Sequence, residues 1–174
     1  MPITSIQSAI LAVIARQRNP ESFVAGGVPI NRKGQRYSQD IDVFHDRMER
    51  VKEAADTDAL ALVAAGFAVV WLRQLPTIIG AEVGRDGETT KIEWVADSDF
   101  RFFPALPDTE FGYVLSIPDL AVNKLMAAVG RREPRDVVDL LTLHQGHLPL
   151  GAIAWAAVEV APGFTPEKGR ARAS

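Results

Sequence analysis

The sequence predicts an α/β fold of the α+β type, with a strand-rich core followed by a C-terminal helical segment. Residues 67–96 carry three runs rich in β-branched and aromatic residues, and Asp86-Gly87 between the second and third runs predicts a tight hairpin turn. After Ser116 the pattern changes to apolar residues at helical spacing. We therefore expect a core over residues 1–110 and a helical segment over residues 111–174 that packs on it.

Composition narrows the class of protein. With 174 residues, of which 47% are hydrophobic, the chain can build one domain, or a core with a helical appendage. The net charge of −3 gives no overall basic field, so any nucleic-acid binding must depend on local patches. The absence of cysteine excludes disulfides, thiolate zinc sites and cysteine nucleophiles.

The sequence shows no signal peptide and no membrane-spanning segment. The apolar run Ser8–Ala15 has no positive residues before it, as a signal peptide would require. No apolar run approaches the roughly 18 residues of a membrane span. We expect a cytoplasmic protein without membrane contact.

The first third of the chain alternates between helices and short strands. Residues 4–17 have the apolar spacing of a helix capped by Thr4 or Ser5. A short apolar strand, Ser22–Ala25, leads into Gly26-Gly27, and a polar loop separates it from an alternating strand, Tyr37–Phe44. Residues 46–65 then predict a helix that ends at Gly66.

The rest of the chain changes from strands to helices. Ser116-Ile117-Pro118-Asp119 combines a serine cap with an early proline and an acidic residue, which together predict a helix start. The predicted strands are Phe67–Leu75, Thr77–Arg85 and Thr89–Ala96, followed by extended segments at Phe100–Phe103 and Gly112–Leu115. The predicted helices are Asp119–Val129, Arg135–Leu143 and Leu150–Val160.

The most informative feature is the acidic pair in the second predicted strand. Successive strand side chains point to opposite faces, so Asp40 and Asp42 project together, about 6–7 Å apart at the backbone. Two carboxylates on one face repel each other unless a cation neutralises them. The glycines at 26 and 27 can bring bare backbone close to a phosphate. Because Mg²⁺ binds a few carboxylates together with substrate phosphates, the pattern indicates a metal-dependent phosphoryl or nucleotidyl transfer site.

Three motifs resemble the AbiEii/AbiGii toxin family of the DNA polymerase β-like nucleotidyltransferase superfamily. They are Arg36-x-Ser38-x-Asp40-Ile41-Asp42-Val43-Phe44, Asp119-Leu120-Ala121-x-Asn123-Lys124 and Arg131-Arg132-Glu133-x-Arg135-Asp136-x-x-Asp139-Leu140. The block Ile92-Glu93-Trp94-Val95-Ala96-Asp97, which runs on to Arg101-Phe102-Phe103-Pro104, resembles the same family. The resemblance covers roughly residues 20–165. It implies a polymerase β-like core with a mixed sheet, followed by a C-terminal helical segment.

The resemblance also implies an activity. Members are toxins of toxin–antitoxin or abortive-infection systems, and some transfer a nucleotide from an NTP to an RNA or tRNA end. Asp40 and Asp42 would hold two Mg²⁺ ions, Gly26 and Gly27 would contact the β- and γ-phosphates, and a cognate antitoxin would be a partner. Gly27 departs from the serine usual in the superfamily. The alternative is therefore a catalytically inactive nucleotide- or partner-binding module.

Further site residues are predicted from their positions in the strands and helices, each with an alternative. Glu93 is favoured over Asp97 as the third carboxylate, both metal ligand and base for the acceptor hydroxyl. Lys124 is interpreted as a charge for the triphosphate, or as a surface lysine. Arg36 and Ser38 flank the acidic pair and are interpreted as nucleotide contacts, with a surface loop as the alternative.

Asp136 and Asp139 are interpreted as holding Lys124 or the ribose. The alternative is an ordinary helix-surface pair of Arg135 with Asp139. His45 is expected to be a cap or a surface residue. The three tryptophans, Trp71, Trp94 and Trp155, are expected in the core. A local patch that could guide RNA comprises Arg32, Lys33, Arg36, Arg131, Arg132 and Arg135.

Overall fold

The computed structural model describes residues 3–33, 36–97, 100–131 and 133–161, with backbone only for Lys33. These residues form two compact units. The first comprises the described parts of Met1–Asp99 with Pro104–Leu115, and the second comprises Phe100–Phe103 with the described part of Ser116–Ser174. The second unit thus takes up the chain on both sides of the segment Pro104–Leu115.

The first unit is built on a mixed sheet, as expected. Its strands are β1 (Ser22–Ala25), β2 (Asp40–His45), β3 (Ala68–Leu75), β4 (Ile78–Arg85), β5 (Glu88–Ala96), β6 (Leu106–Asp108) and β7 (Gly112–Val114). Within the described residues they form one sheet of seven strands in the order β3-β4-β5-β2-β1-β7-β6. Strand β2 lies near the middle, parallel to β5 on one side and antiparallel to β1 on the other.

Helices α1 (Ser5–Ile14) and α3 (Met48–Ala64) supply the apolar layer that covers one face of this sheet. Thr4 caps α1 in a capping box with Gln7, as the sequence predicts. Gly66 follows α3 with a φ of 85°, a left-handed conformation that suits glycine. The core of the unit includes Ile10, Leu11, Ile14, Val24, Ile41, Val43, Val51, Leu62, Ile92 and Trp94.

The turn between β4 and β5 has the geometry that its sequence predicts. Asp86 and Gly87 have φ values of 54° and 85°. Both central residues of a type I′ turn need positive φ, which aspartate tolerates and glycine adopts without strain. The hairpin pairs in register from Ile78 opposite Val95 to Arg85 opposite Glu88.

The second unit is helical. It contains α4 (Ile117–Gly130), α5 (Pro134–Gly146) and α6 (Leu150–Val160). The Ser116 side chain accepts a hydrogen bond from the backbone N–H of Asp119, which confirms the predicted cap. The Asp119 carboxylate in turn accepts the backbone N–H groups of Phe102 and Phe103, at 2.8 and 3.2 Å. Asp119 therefore fastens the segment Phe100–Phe103 to the start of α4.

Several expectations about individual segments are wrong. Phe100–Phe103 does not form a strand, and the backbone N–H groups of Phe102 and Phe103 donate to the Asp119 carboxylate. Residues 106–108, for which no strand was predicted, pair with β7. His45 is buried, because it continues the inward alternation of Ile41 and Val43. Trp94 is a core residue, but Trp71 on β3 is 37% exposed and Trp155 on α6 is 70% exposed.

No helix among the described residues is both long and apolar enough to cross a membrane. The basic tail, Glu167–Ser174, lies outside the described residues.

Candidate functional site

The acidic pair lies on the face of the sheet opposite the core. Asp40 and Asp42 are partly buried, while the intervening Ile41 is fully buried against the helices. The predicted shared face is therefore present in the structure. Because β2 has a strand on each side, both carboxylates are held by a rigid backbone and not by a loop.

Gly26 is pressed directly against one of these carboxylates. It follows β1 with a φ of 68°, and Ala25 is the cross-strand partner of Asp42. A Cβ built at Gly26 would lie 1.9 Å from Asp42 Oδ2 and 2.8 Å from its Cγ. Only glycine can therefore occupy position 26 while Asp42 keeps its place, for reasons of both backbone conformation and space.

Gly27 begins a single helical turn, α2 (Gly27–Ile30), which a buried asparagine secures. The Asn31 side chain donates a hydrogen bond to the carbonyl oxygen of Gly27 at 2.9 Å, and it is 1% exposed. No role for Asn31 was predicted from the sequence. Its signal was an amide side chain four residues after the second glycine, a spacing that lets it close one helical turn.

Glu93 lies beside the acidic pair but has a basic partner. In the parallel pairing of β2 with β5, Asp42 is opposite Glu93. Glu93 Oε1 accepts a hydrogen bond from Arg73 Nη2 at 2.9 Å, in an ion pair that is partly exposed. The structure therefore brings Glu93 into the row of Asp42 and engages one of its oxygens with a guanidinium.

Carboxylate oxygens of the kind that Asp40 and Asp42 offer are the donors that Mg²⁺ prefers. The pair fits a hard divalent cation that is shared with substrate phosphates. Within the described residues, no group of three or more histidine, aspartate or glutamate side chains is placed to hold a metal ion. Glu93, expected as the third ligand, is therefore not grouped with Asp40 and Asp42 as a three-carboxylate metal site in the described part of the chain.

Ser38 and Arg36 make local contacts at the start of β2. Ser38 is 4% exposed, and its hydroxyl donates to the carbonyl oxygen of Asp40 at 3.0 Å. Gln7 of α1 donates to the carbonyl oxygen of Ser38 at 3.0 Å, so this turn is tied to the helix. Arg36 Nη1 donates to the carbonyl oxygen of Tyr37. Both side chains therefore shape the entry to the strand.

Lys124 belongs to a buried charge cluster in the second unit. Its Nζ lies 3.1 Å from Asp136 Oδ1 and 3.0 Å from Asp139 Oδ2, and the lysine is 7% exposed. The interpretation that both aspartates hold Lys124 matches this geometry, and the lysine does not have the exposure of a surface residue. Arg135 forms an ion pair with Glu133 at 2.6 Å.

Asp136 is bound by a second cation as well. Arg131 donates to it through Nε and Nη2 at 2.6 and 2.9 Å. Burial alone would raise the pKa of Asp136, but the hydrogen bonds from Arg131 and Lys124 and their positive charges hold it below its usual value. Asp136 is therefore ionised at neutral pH, and it joins α4 to α5.

The expected RNA patch is largely engaged in other contacts. Arg32 pairs with Asp108 at 2.7 Å and with Glu110 at 3.4 Å, and its guanidinium lies 4.1 Å from the centre of the Phe111 ring. Arg131 is bound to Asp136, as described. Arg132 and the Lys33 side chain lie outside the described residues.

A buried polar network supports the core beneath the acidic strand. Arg18 Nη2 contacts both oxygens of Asp58 at 2.6 Å, and Trp94 Nε1 donates to Asp58 Oδ2 at 2.7 Å. Burial raises the pKa of Asp58 and lowers that of Arg18. Burial, followed by the charges of Arg18 and Arg50, lowers the pKa of His45 to about 3, so this histidine is neutral at physiological pH.

Two solved structures share this fold at low sequence identity. MenT4, a nucleotidyltransferase toxin from Mycobacterium tuberculosis H37Rv, matches with a TM-score of 0.64 at 15% identity, over 88% of this chain and 61% of that protein. JHP933 from Helicobacter pylori matches with a TM-score of 0.61 at 13% identity, over 97% of this chain and 85% of that protein. This chain therefore spans 61% of the length of MenT4.

Sequence comparison identifies the family. A search of curated proteins found no match. The family model of the nucleotidyl transferase AbiEii toxin, of the type IV toxin–antitoxin systems, matches residues 20–164, which include the acidic pair and the Lys124 cluster. The chain therefore belongs to the AbiEii nucleotidyltransferase toxin family.

Proposed function

We propose that this chain is a Mg²⁺-dependent nucleotidyltransferase that transfers NMP from an NTP to an acceptor, and that it acts as the toxin of a toxin–antitoxin pair. The observation that supports this most strongly is the pair Asp40 and Asp42 on one face of β2, with Gly26 packed against Asp42. Such a constellation on a family member is suited to binding a metal and a triphosphate together.

In this proposal each residue of the first unit has a defined role. Asp40 and Asp42 hold Mg²⁺, which when bound neutralises the charge that develops on the α-phosphate and the leaving group. Gly26 and Gly27 offer backbone to the β- and γ-phosphates without a side chain in the way. Arg36 and Ser38 keep the start of β2 in position beside the nucleotide.

Glu93 is the base of the proposed reaction. It accepts the proton of the acceptor hydroxyl, whose oxygen then forms a bond to the α-phosphorus. The bond from the α-phosphorus to the oxygen that bridges it to the β-phosphate breaks, and pyrophosphate leaves with that oxygen. Glu93 suits this role because one oxygen is fixed by Arg73 while the carboxylate has a second oxygen for the proton.

Lys124 is proposed as a charge for the triphosphate, with Asp136 and Asp139 holding its ammonium group in place. The support is the pair of contacts at 3.1 and 3.0 Å, which restrict a side chain that is otherwise flexible. The burial of Lys124 makes a purely solvated role untenable.

The acceptor is proposed to be an RNA or tRNA end, on the strength of family membership. Within the described part of the patch, Arg32 and Arg131 are already paired with carboxylates, which leaves them less available for phosphate contacts. We therefore expect weak RNA binding with a shallow salt dependence. A cognate antitoxin is the other proposed partner.

The test is incubation of the purified protein with total RNA and each α-labelled NTP in turn, with and without Mg²⁺. We expect label on RNA with one NTP preferred, and none without the metal. Label on a protein instead of RNA would refute the acceptor. Tight nucleotide binding with no transfer to any acceptor would favour the alternative, an inactive nucleotide-binding module.

A further inference from the structure

Four residues form a row across the sheet at the level of the acidic pair. Arg73 of β3 is opposite Gly80 of β4, Gly80 is opposite Glu93 of β5, and Glu93 is opposite Asp42 of β2. In register, such neighbours project from the same face of a sheet. Arg73, two strands away from Glu93, nevertheless reaches its carboxylate, with Nη2 at 2.9 Å from Oε1.

A bulge in β3 places Arg73 on this face. Trp71 is opposite Ala81 on the core face, and its ring lies 5.9 Å from that of Trp94. In a regular strand Arg73 would share the face of Trp71, since side chains two residues apart point the same way. The pairing instead shifts by one residue between Trp71 and Arg73. That shift redirects the guanidinium to the face of Glu93, as bulges near active sites often do.

Gly80 leaves the space through which the two side chains meet. It has no side chain between its neighbours, and a Cβ built there would lie 3.7 Å from Glu93 Oε1. A single methyl group would fit at that distance, but a branched side chain would stand in the path of Arg73. The bulge and the glycine are thus two separate features that serve one contact.

The contact itself has little value for stability. The side chains of Arg73 and Glu93 are 45% and 32% exposed, and ion pairs this open to solvent contribute little to folding. What the contact does fix is the position of Glu93 next to Asp42. It occupies one oxygen of the carboxylate, Oε1, and so restricts the rotation of a flexible side chain.

We propose that Arg73 is a positioning residue, which holds the Glu93 carboxylate in the orientation needed to take the proton from the acceptor hydroxyl. This inference rests on the proposed nucleotidyl transfer. Arg73 touches neither nucleotide nor acceptor in this account and acts only through Glu93.

The test compares steady-state nucleotidyl transfer by Arg73→Gln, Arg73→Lys and Gly80→Val with the wild type. A positioned base typically contributes a factor of about 10²–10⁴ to the rate. We expect Arg73→Gln to lose part of this rate factor, with kcat at least about tenfold lower and the KM for NTP unchanged. Arg73→Lys should recover activity. Gly80→Val should reproduce the loss although Arg73 and Glu93 are both intact.

Arg85→Gln is the matched control, since it removes another arginine of the same hairpin that is also partly exposed. It should keep wild-type kcat, and all the variants should unfold at about the wild-type temperature. Wild-type kcat in Arg73→Gln overturns the inference while leaving the transfer activity intact. A wild-type protein without transfer overturns the proposed function and this inference together, and these two results are easily told apart.

Discussion

Replacing Gly26 by alanine should damage both the stability and the activity of the protein, because one methyl group creates two separate problems. An L-residue at a φ of 68° and a ψ of −141° occupies a region that is nearly restricted to glycine, at a cost of about 1–3 kcal/mol. The new Cβ would also lie 1.9 Å from Asp42 Oδ2. Relieving this overlap adds about 1–3 kcal/mol of overpacking. We expect a total loss of about 2–6 kcal/mol in the free energy of unfolding.

The loss of activity should exceed what partial unfolding explains. To accommodate the methyl group, the Asp42 carboxylate must move by more than an ångström, and a displacement of that size can lower a rate by about 10². The assays are urea unfolding and NMP transfer at a temperature where the variant is folded. Two glycines serve as controls, since a Cβ at Gly66 or at Gly130 meets nothing within 4 Å.

The controls separate backbone strain from the collision with Asp42. Gly66→Ala has the left-handed φ of 85° without the overlap, so it should cost about 1–2 kcal/mol and leave transfer unchanged. Gly130→Ala, within α4, should be neutral or stabilising by up to about 1 kcal/mol. The reasoning is refuted if Gly26→Ala is no less stable than Gly66→Ala and transfers at the wild-type rate.

Two further predictions concern buried ionisable side chains. Lys124→Ala leaves the buried carboxylates of Asp136 and Asp139 without the cation that they share. It should therefore lower the free energy of unfolding in urea by about 3–5 kcal/mol, and the added substitution Asp139→Asn should restore part of this loss. Wild-type stability of Lys124→Ala would contradict this prediction. The pKa of His45 is about 3 in the folded protein and about 6.5 in the unfolded chain, so between these pH values only the unfolded chain binds a proton at this residue. The free energy of unfolding should therefore decrease by about 2 kcal/mol when the pH is lowered from 7 to 5. His45→Gln should lack this part of the pH dependence, and an identical slope in both proteins would show that His45 is not the cause.

Most of the fold could be predicted from local patterns in the sequence. Alternation in β2 predicted the shared face of Asp40 and Asp42, and Asp86-Gly87 predicted its turn, because both depend on neighbouring residues alone. The same alternation could have placed His45 in the core, since it has the parity of Ile41 and Val43. The expectation that His45 is at the surface rested on its polar side chain, whereas in the structure its place in the strand alternation decides that it is buried.

The remaining features depend on contacts between distant parts of the chain. The requirement for glycine at position 26 becomes visible only when β1 is paired with β2 and Asp42 comes alongside. The role of Arg73 could not be predicted from the sequence, because the bulge in edge strand β3 depends on the pairing of that strand with β4. Trp155 was expected in the core from its size, although burial depends on which face of α6 finds a partner.

The central claim is that the carboxylate pair on β2 performs metal-dependent nucleotidyl transfer. The most direct measurement is the transfer of α-labelled NMP by the wild type, Asp40→Asn and Asp42→Asn at saturating Mg²⁺. Asp56→Asn is the control, since Asp56 is an exposed carboxylate paired with Lys52 on α3. We predict transfer by the wild type and by Asp56→Asn, and at least about 10³-fold less by either site variant, with both still folded. Transfer near the wild-type rate by Asp40→Asn or Asp42→Asn would contradict the account.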